Sequence, residues 1–249
     1  MQTDDSIRRS KIRIFIVLGV VALAVGAFGL MRFMIWSRAP QRIAAAKGKG
    51  ARVIAKHLAE PLSMTAEVDT PAERFANITT FPAWGFVPIG SQTFCEVPLQ
   101  IDGMICLWGA GNAKNGIDFP EEKTGIQIGK SFETLYVYHG SFFSSPNGTP
   151  VYEIVFRYED GGSATNQIRY GNDVLDWYGH GKLTAARSKI AWQGMADLET
   201  RQQPLQFCLT AVENPRPDAV VATIDLYSCK SRTAACILAF TPGRKGLMR

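Results

Sequence analysis

The sequence predicts a mainly β domain, an antiparallel two-sheet sandwich of the jelly-roll kind, preceded by one N-terminal transmembrane helix. Three observations lead to this prediction. Residues 14–31 contain no charged side chain. From residue 92 onward, short segments alternate apolar and polar side chains, which is the two-residue period of a strand with one buried face. Clusters of Gly, Pro, Asn and Asp separate these segments, and no helix-length amphipathic run lies between them.

The uncharged N-terminal run consists of apolar residues and glycines, and as a helix it would rise about 27 Å. Extension past Arg32, whose side chain can reach toward the interface, brings it to the roughly 30 Å of a hydrocarbon core. We therefore expect residues 14–36 to cross a membrane once, after a basic tail at 1–13. A cleaved signal peptide is the alternative, but the apolar run is too long, and the small residues at 44–46 lie well beyond its end.

The orientation of this span is harder to predict because basic residues flank it on both sides. Four Lys or Arg residues precede it, and six follow between residues 32 and 52. Long domains translocate largely regardless of flanking charge, and a first helix with a basic N-terminal flank behaves as a signal anchor. We expect the N-terminus in the cytoplasm and the C-terminal domain in the periplasm or outside the cell.

The net charge of +5 is unevenly distributed along the chain. Residues 1–80 carry a net charge of +6, whereas residues 81–249 carry −1. The basic excess therefore adjoins the span, where anionic lipid attracts Lys and Arg, and no basic patch remains for nucleic acid. Residues 37–80 are rich in Ala, Lys, Arg and Pro and predict a linker, partly helical. Residues 81–249 are long enough for one domain with its own core.

The clearest strand pair lies at residues 151–159 and 164–170. The first segment alternates Tyr, Ile, Phe and Tyr with polar or smaller residues, and residues 160–163 (DGGS) provide glycines for a tight turn. Further strands are expected at residues 127–129, 132–139, 205–211, 219–227 and 236–241.

All five cysteines lie in residues 81–249, and an exported domain could oxidise two pairs and leave one thiol. Cys229 and Cys236 bracket a short polar loop, so a local disulfide between them is a candidate; a pairing of Cys208 with Cys229 is the alternative. Their spacing is too wide for a typical zinc site, and no histidine follows at ligand spacing. We therefore expect no metal and no cofactor.

An ordered set of short motifs carries a resemblance to a known fold. The motifs are TGI (124–126), FETLYVYH (132–139), YEIVFRYEDG (152–161), NDVLDWY (172–178), AW (191–192), ENPRPD (213–218), VATIDLYS (221–228) and LAFT (238–241). Over residues 85–241 this succession resembles the galactose-binding-like, carbohydrate-binding-module-type β-sandwich of bacterial membrane-anchored proteins, including the C-terminal part of FecR-type anti-sigma regulators. The resemblance implies a module that binds sugar, binds protein or is structural. The thirteen residues before the span are too few for a sigma-factor-binding domain.

A candidate ligand site lies within one eight-residue stretch. A sugar site needs an exposed aromatic ring and nearby groups that bond hydroxyls. Such groups are present at Asp173, Asp176, Trp177, Tyr178 and His180. The alternative is that Trp177 fills the core and Asp176 caps a turn.

No catalytic constellation is evident in the sequence. Carboxylates are present, but their spacing does not show that any two converge as glycoside hydrolysis requires, and no serine lies in a G-x-S-x-G turn. The glycine-rich segment 109–116 does not precede a helix-forming sequence, so it predicts a loop and not a phosphate cradle. We expect a single-pass, membrane-anchored, non-enzymatic binding module that contacts envelope polysaccharide or peptidoglycan. An envelope protein as partner and a glycan-acting enzyme are the alternatives.

Overall fold

The computed structural model describes residues 61–72, 82–179, 181–198 and 201–248. The predicted membrane span at 14–36, and the basic tail before it, lie outside these residues. Within the described ranges, no helix has the length and apolar character needed to cross a membrane. The described residues cover most of the predicted β domain and a short part of the predicted linker.

Twelve strands make up most of the described chain. They are β1 (Thr70–Pro71), β2 (Gly90–Phe94), β3 (Val97–Ile101), β4 (Gly103–Cys106), β5 (Glu122–Lys130), β6 (Thr134–Phe142), β7 (Pro150–Tyr158), β8 (Ser163–Arg169), β9 (Ser188–Leu198), β10 (Arg201–Glu213), β11 (Val221–Ser228) and β12 (Ala234–Gly243). A 3-10 helix spans Pro82–Phe86, and a four-residue helix, α1, spans Ala110–Ala113.

The strands form three sheets. The six-stranded sheet has the order β1-β4-β12-β6-β10-β9, the four-stranded sheet has the order β5-β11-β7-β8, and β2 and β3 form a hairpin. Every pair of these neighbouring strands is antiparallel. The predicted mainly β, antiparallel fold is therefore confirmed.

The predicted hairpin at residues 151–170 corresponds to β7 and β8. Val155 of β7 lies opposite Thr165 of β8. In the turn, Gly161 has a φ of 83°, a conformation that glycine adopts without strain, and the Asp160 carboxylate accepts a hydrogen bond of 2.9 Å from the Gly162 amide. The local turn chemistry and the alternation were sufficient to predict this element.

Five strands, β1, β2, β3, β4 and β9, lie outside the strand segments that the sequence predicts. The β2–β3 turn consists of Cys95 and Glu96, with φ angles of 50° and 66°. Such turns usually contain Gly, Asn or Asp, so this one has no sequence signal. Strand β3 also contains Pro98, which lowers its strand propensity. In β9, Gly194 and a mixed burial pattern obscure the alternation.

The two larger sheets enclose one core, here called the inter-sheet core. It is formed by Leu135 and Val137 of β6, Ile154 and Phe156 of β7 and many others, all at most about one-tenth exposed. Burying each large apolar side chain contributes about 1.5–3 kcal/mol. This core holds the four-stranded sheet against the six-stranded sheet.

A second core lies on the opposite face of the six-stranded sheet, and we call it the hairpin-side core. Tyr136 and Tyr138 of β6 point into it, together with Trp84 of the 3-10 helix and Leu99 of β3. All nine residues of β6 are consequently buried. The sequence predicts a sandwich of two sheets only. The structure has a third layer, the β2–β3 hairpin, which the predicted strand segments do not include.

Residues 61–72 belong to the folded unit, although the sequence places them in the linker at 37–80. The Leu62 amide donates to the Phe240 carbonyl at 3.0 Å, and Met64 is 1% exposed in the inter-sheet core. The Asp69 carboxylate accepts a 2.9 Å hydrogen bond from the Cys106 amide. The linker prediction does not hold for this segment, since its few apolar side chains pack into a core formed by strands that are distant in the sequence.

The candidate Cys229–Cys236 disulfide is not formed, and all five thiols are free. Cys229 follows β11 of the four-stranded sheet, whereas Cys236 lies within β12 of the six-stranded sheet and faces the hairpin-side core. The loop between them connects different sheets, so their side chains do not face each other. The alternative partner, Cys208, points into the inter-sheet core.

Candidate functional site

Residues 173–179 of the predicted ligand segment fill a gap in the six-stranded sheet. Strands β6 and β10 pair only as far as His139 and Cys208. Beyond that point, the Trp177 amide donates to the Ser141 carbonyl of β6 at 2.9 Å, and the Trp177 carbonyl accepts from the Gln206 amide of β10 at 2.9 Å. The segment thus acts as a short inserted strand, which explains its buried backbone.

Trp177 is enclosed in the hairpin-side core. Its side chain is 1% exposed. Its ring stacks on that of Trp84, with the two ring centroids 4.6 Å apart, and its ring centroid lies 4.1 Å from that of Tyr178. A sugar-stacking ring must present a face to solvent. The structure therefore assigns Trp177 to packing, the alternative that the sequence left open, and removes it from the candidate ligand site.

Asp173 is a buried carboxylate that pairs with the partly exposed Arg187, and it is not directed to solvent. It is 2% exposed and receives hydrogen bonds from Arg187 Nε at 2.8 Å and Arg187 Nη2 at 2.9 Å. The Arg169 amide donates to the same carboxylate at 3.0 Å. This bidentate geometry is characteristic of strong Arg–carboxylate pairs. Asp173 consequently anchors the loop between β8 and β9.

The remaining residues of the predicted site have separate environments. Asp176 accepts hydrogen bonds from the Tyr178 amide at 3.1 Å and from Ser144 at 3.2 Å, as a turn-capping residue does. Burial raises the pKa of Asp176 and the pKa of Tyr178. His180 lies outside the described residues. Among the described members, the structure brings Trp177 and Tyr178 together but assigns Asp173 to a different network.

That network extends from Arg187 and Asp173 into the inter-sheet core and reaches Tyr152 through His139. The His139 imidazole is fully buried; its Nε2 is 2.9 Å from the Thr210 hydroxyl, and its Nδ1 is 2.6 Å from the Tyr152 hydroxyl. Because Thr210 donates its proton to the Asp173 carbonyl at 2.8 Å, it accepts from Nε2–H. Nδ1 then accepts from Tyr152, so the network joins the two sheets and fixes one neutral tautomer.

Desolvation by burial lowers the pKa of His139 to about 4 and raises the pKa of Tyr152 well above its usual value. Both groups are therefore neutral at physiological pH. With no solvent-exposed face, His139 is positioned to specify packing and not to exchange protons with a substrate. Its hydrogen bonds to Thr210 of β10 and Tyr152 of β7 link the two sheets.

The outward side of the four-stranded sheet has a different character. Ile154 and Phe156 of β7 point into the inter-sheet core, so the intervening side chains of the same strand point away from it. We call this surface the outer face. It consists of Gln127 of β5, Glu153, Val155 and Arg157 of β7, Thr165 and Gln167 of β8, and Thr223, Asp225 and Tyr227 of β11, whose register places them side by side.

Polar contacts order the side chains of the outer face. Arg157 Nε donates to Asp225 at 2.7 Å, and the Tyr227 hydroxyl lies within 3.4 Å of both groups. The Gly125 amide donates to the other Asp225 oxygen at 2.9 Å. Gln167 donates to Glu153 at 3.1 Å on the adjoining strands. The hydrogen bond to Asp225 raises the pKa of Arg157, so the guanidinium is charged throughout the physiological range.

Sequence reasoning did not identify the outer face, although part of its signal was present. The alternation that predicted β7 also marks Glu153 and Arg157 as outward. The motif at residues 221–228 contains Asp225 and Tyr227 at the same two-residue spacing. What the sequence lacks is the register that aligns β7 with β8 and β11. The site depends on that long-range pairing.

The glycine-rich segment also has a structural explanation. The glycine-rich loop at 109–116 contains only the four-residue α1, and the Ala110 and Gly111 amides donate to the Ser231 and Arg232 carbonyls at 2.9 Å each. Those amides are therefore not available to cradle a phosphate. Within the described ranges, no group of three or more His, Cys, Asp or Glu side chains is arranged to hold a metal ion.

In comparisons with known proteins, no family model matches this chain, and no curated protein sequence matches it.

Proposed function

We propose that this protein is a single-pass, membrane-anchored, non-enzymatic binding module whose outer face contacts cell-envelope carbohydrate. One observation supports this proposal most directly. The outer face places a half-buried tyrosine, Tyr227, beside an ordered guanidinium–carboxylate pair formed by Arg157 and Asp225. Gln127, Arg157 and Thr165 on this surface are exposed.

This combination suits a polyhydroxylated ligand. An aromatic ring can pack against the apolar face of a sugar, while carboxylate, amide and guanidinium groups bond its hydroxyls. Because Glu153 and Gln167 lie one row of the sheet away from Asp225 and Val155, an extended glycan could contact two polar rows at once. The resemblance to galactose-binding-like, jelly-roll-type modules supports the same ligand class.

The carboxylates of the outer face favour a binding role over glycan hydrolysis, because they already accept hydrogen bonds from neighbouring groups. Asp225 is already engaged by Arg157 and by the Gly125 amide, and Glu153 accepts from Gln167. A glycosidase needs one carboxylic acid with a raised pKa opposite a second carboxylate across the scissile bond. The engaged carboxylates of the outer face do not form such a pair, so the exposed guanidinium and amide groups beside them are the groups that would bond ligand hydroxyls.

The topology proposed for this function follows from the predicted span. Residues 14–36 would lie in lipid with the N-terminus in the cytoplasm, and the basic residues beside them would meet anionic headgroups. The β domain would then face the periplasm or the exterior, where polysaccharide or peptidoglycan is accessible. A reporter fusion after residue 60 tests this arrangement, and a cytoplasmic reporter signal would remove the envelope glycan as ligand.

Tyr227→Ala is expected to weaken binding of the full-length chain to purified peptidoglycan or envelope polysaccharide by about tenfold, equivalent to about 1.4 kcal/mol. The matched variant Tyr227→Phe keeps the ring and is expected to bind within about twofold of the wild type. Co-sedimentation at a series of protein concentrations measures both. Equal binding by the wild type and Tyr227→Ala would contradict the assignment of the outer face.

A protein partner is the second candidate function, and one observation favours it. Strand β9 is eleven residues long and lies at the end of the six-stranded sheet, and Met195 on it is 47% exposed. An unpaired strand edge can accept a strand from a partner protein. Capture of one envelope protein by a cross-linker placed on β9, with no binding to any glycan of an array, would favour this function.

A further inference from the structure

Two cysteines lie directly opposite each other in the six-stranded sheet. The register pairs Cys106 of β4 with Cys236 of β12. Both side chains point into the hairpin-side core, where they are 1% and 0% exposed. Because paired residues of adjacent strands project on the same face, the two thiols are neighbours although the residues are far apart in sequence.

The hydrogen-bond pattern shows which kind of cross-strand pair they form. The next pair along the ladder is hydrogen-bonded, since the Leu107 amide donates to the Ala235 carbonyl at 3.0 Å. Pairs alternate along an antiparallel ladder, so Cys106 and Cys236 form a non-hydrogen-bonded pair. In agreement, the Cys106 amide donates away from β12, to Asp69 at 2.9 Å.

Non-hydrogen-bonded pairs bring side chains closest together. Their Cα atoms are about 4.5 Å apart, and a disulfide needs a Cα separation of about 4.4–6.8 Å. The backbone can therefore accept a bond between these two sulfurs without a change of register. No other pair of the five cysteines, all of which lie in the described part of the chain, shares a ladder position.

We propose that Cys106 and Cys236 are the oxidisable pair of this domain and form a cross-strand disulfide. The structure with five free thiols is then the reduced form. This inference goes beyond carbohydrate binding and does not depend on it. It also replaces the local Cys229–Cys236 pairing, since Cys229 follows β11 of the four-stranded sheet and Cys236 lies in β12 of the six-stranded sheet.

The oxidant required is a disulfide, either glutathione disulfide or an oxidised dithiol oxidoreductase. One cysteine, as its thiolate, attacks the oxidant and forms a mixed disulfide, releasing one thiol. The second cysteine then attacks its partner's sulfur and releases the other thiol, so that two electrons and two protons pass to the oxidant. Cys106 and Cys236 are 1% and 0% exposed in the folded domain, so the oxidant must reach them before β2 and β3 close over the pair.

Refolding the reduced full-length chain in a glutathione redox buffer tests the proposal. After alkylation of the denatured, unreduced chain with N-ethylmaleimide, mass spectrometry is expected to find three modified cysteines and one linked peptide pair containing Cys106 and Cys236. When the oxidised protein is unfolded, reduced and refolded with reductant present, its Tm is expected to be about 10 °C lower than that of the oxidised protein, because the disulfide closes a long loop.

Matched variants distinguish this pair from others. Cys229→Ala is expected to keep the linkage, whereas Cys106→Ala and Cys236→Ala are each expected to show four alkylated thiols. If either core variant fails to refold, the linked peptides of the wild type still decide the matter. Five alkylated thiols in the wild type, or a linkage that includes Cys229, Cys208 or Cys95, would overturn the proposal.

Discussion

Replacing Trp177 by alanine is expected to lower the free energy of unfolding by about 4 kcal/mol. The side chain is 1% exposed, and its removal would open a cavity between Trp84 and Tyr178, whose rings contact it. Its backbone also joins β6 to β10, so the neighbouring strands cannot easily collapse into the space. The effect should therefore lie in the upper part of the range for large aromatic truncations.

Urea unfolding of the full-length chain, followed by circular dichroism, measures this change. Trp177→Phe is the matched variant, since it keeps an aromatic ring in the same position, and about 1–2 kcal/mol is expected because a smaller volume is lost. If Trp177→Ala stayed within 1 kcal/mol of the wild type and instead lost glycan binding, the assignment of Trp177 to the core would be wrong.

Lowering the pH from 6.5 to 4 is expected to remove about 3 kcal/mol of stability through His139 alone. In the unfolded chain this histidine titrates near 6.5, whereas in the fold burial lowers its pKa to about 4. Between these values the unfolded state binds a proton that the folded state does not bind, so stability falls as the pH falls. Each unit of difference corresponds to about 1.36 kcal/mol.

The free energy of unfolding measured at intervals between pH 7 and pH 4 shows the contribution of His139 by difference. His139→Gln cannot titrate, so its stability should decline less steeply than that of the wild type across this interval, although its absolute stability is lower. Carboxylates contribute equally to both proteins and cancel in the comparison. Parallel pH profiles for the two proteins would show that His139 is not buried as a neutral group.

The parts of the fold that the sequence predicts correctly are those encoded locally. The β7–β8 hairpin has its alternation, its turn residues and its strand lengths within one continuous segment. The β2–β3 hairpin lacks such a local code, because Cys95 and Glu96 adopt positive φ without the residues that usually do so. Its place is set instead by Leu99 and its neighbours, which cover the far face of the six-stranded sheet.

The candidate site illustrates the same limit. A sequence that places a tryptophan among carboxylates does not show whether the ring is buried or exposed. Trp177 is buried because Trp84, from a distant segment, stacks on it. The sequence alone also does not show that the Asp173 carboxylate pairs with Arg187 and is therefore not available to a ligand. The outer face depends on register between strands, which a single sequence does not provide.

Hydrogen–deuterium exchange of the full-length chain, with and without saturating peptidoglycan fragments, tests whether the outer face binds carbohydrate. If the outer face binds carbohydrate, the ligand should slow exchange in peptides from β7, β8 and β11, while peptides containing residues 173–179 should be unaffected. Protection confined to residues 173–179 or to β9, or no protection anywhere at saturating ligand, would contradict the assignment of the outer face as the carbohydrate-binding surface.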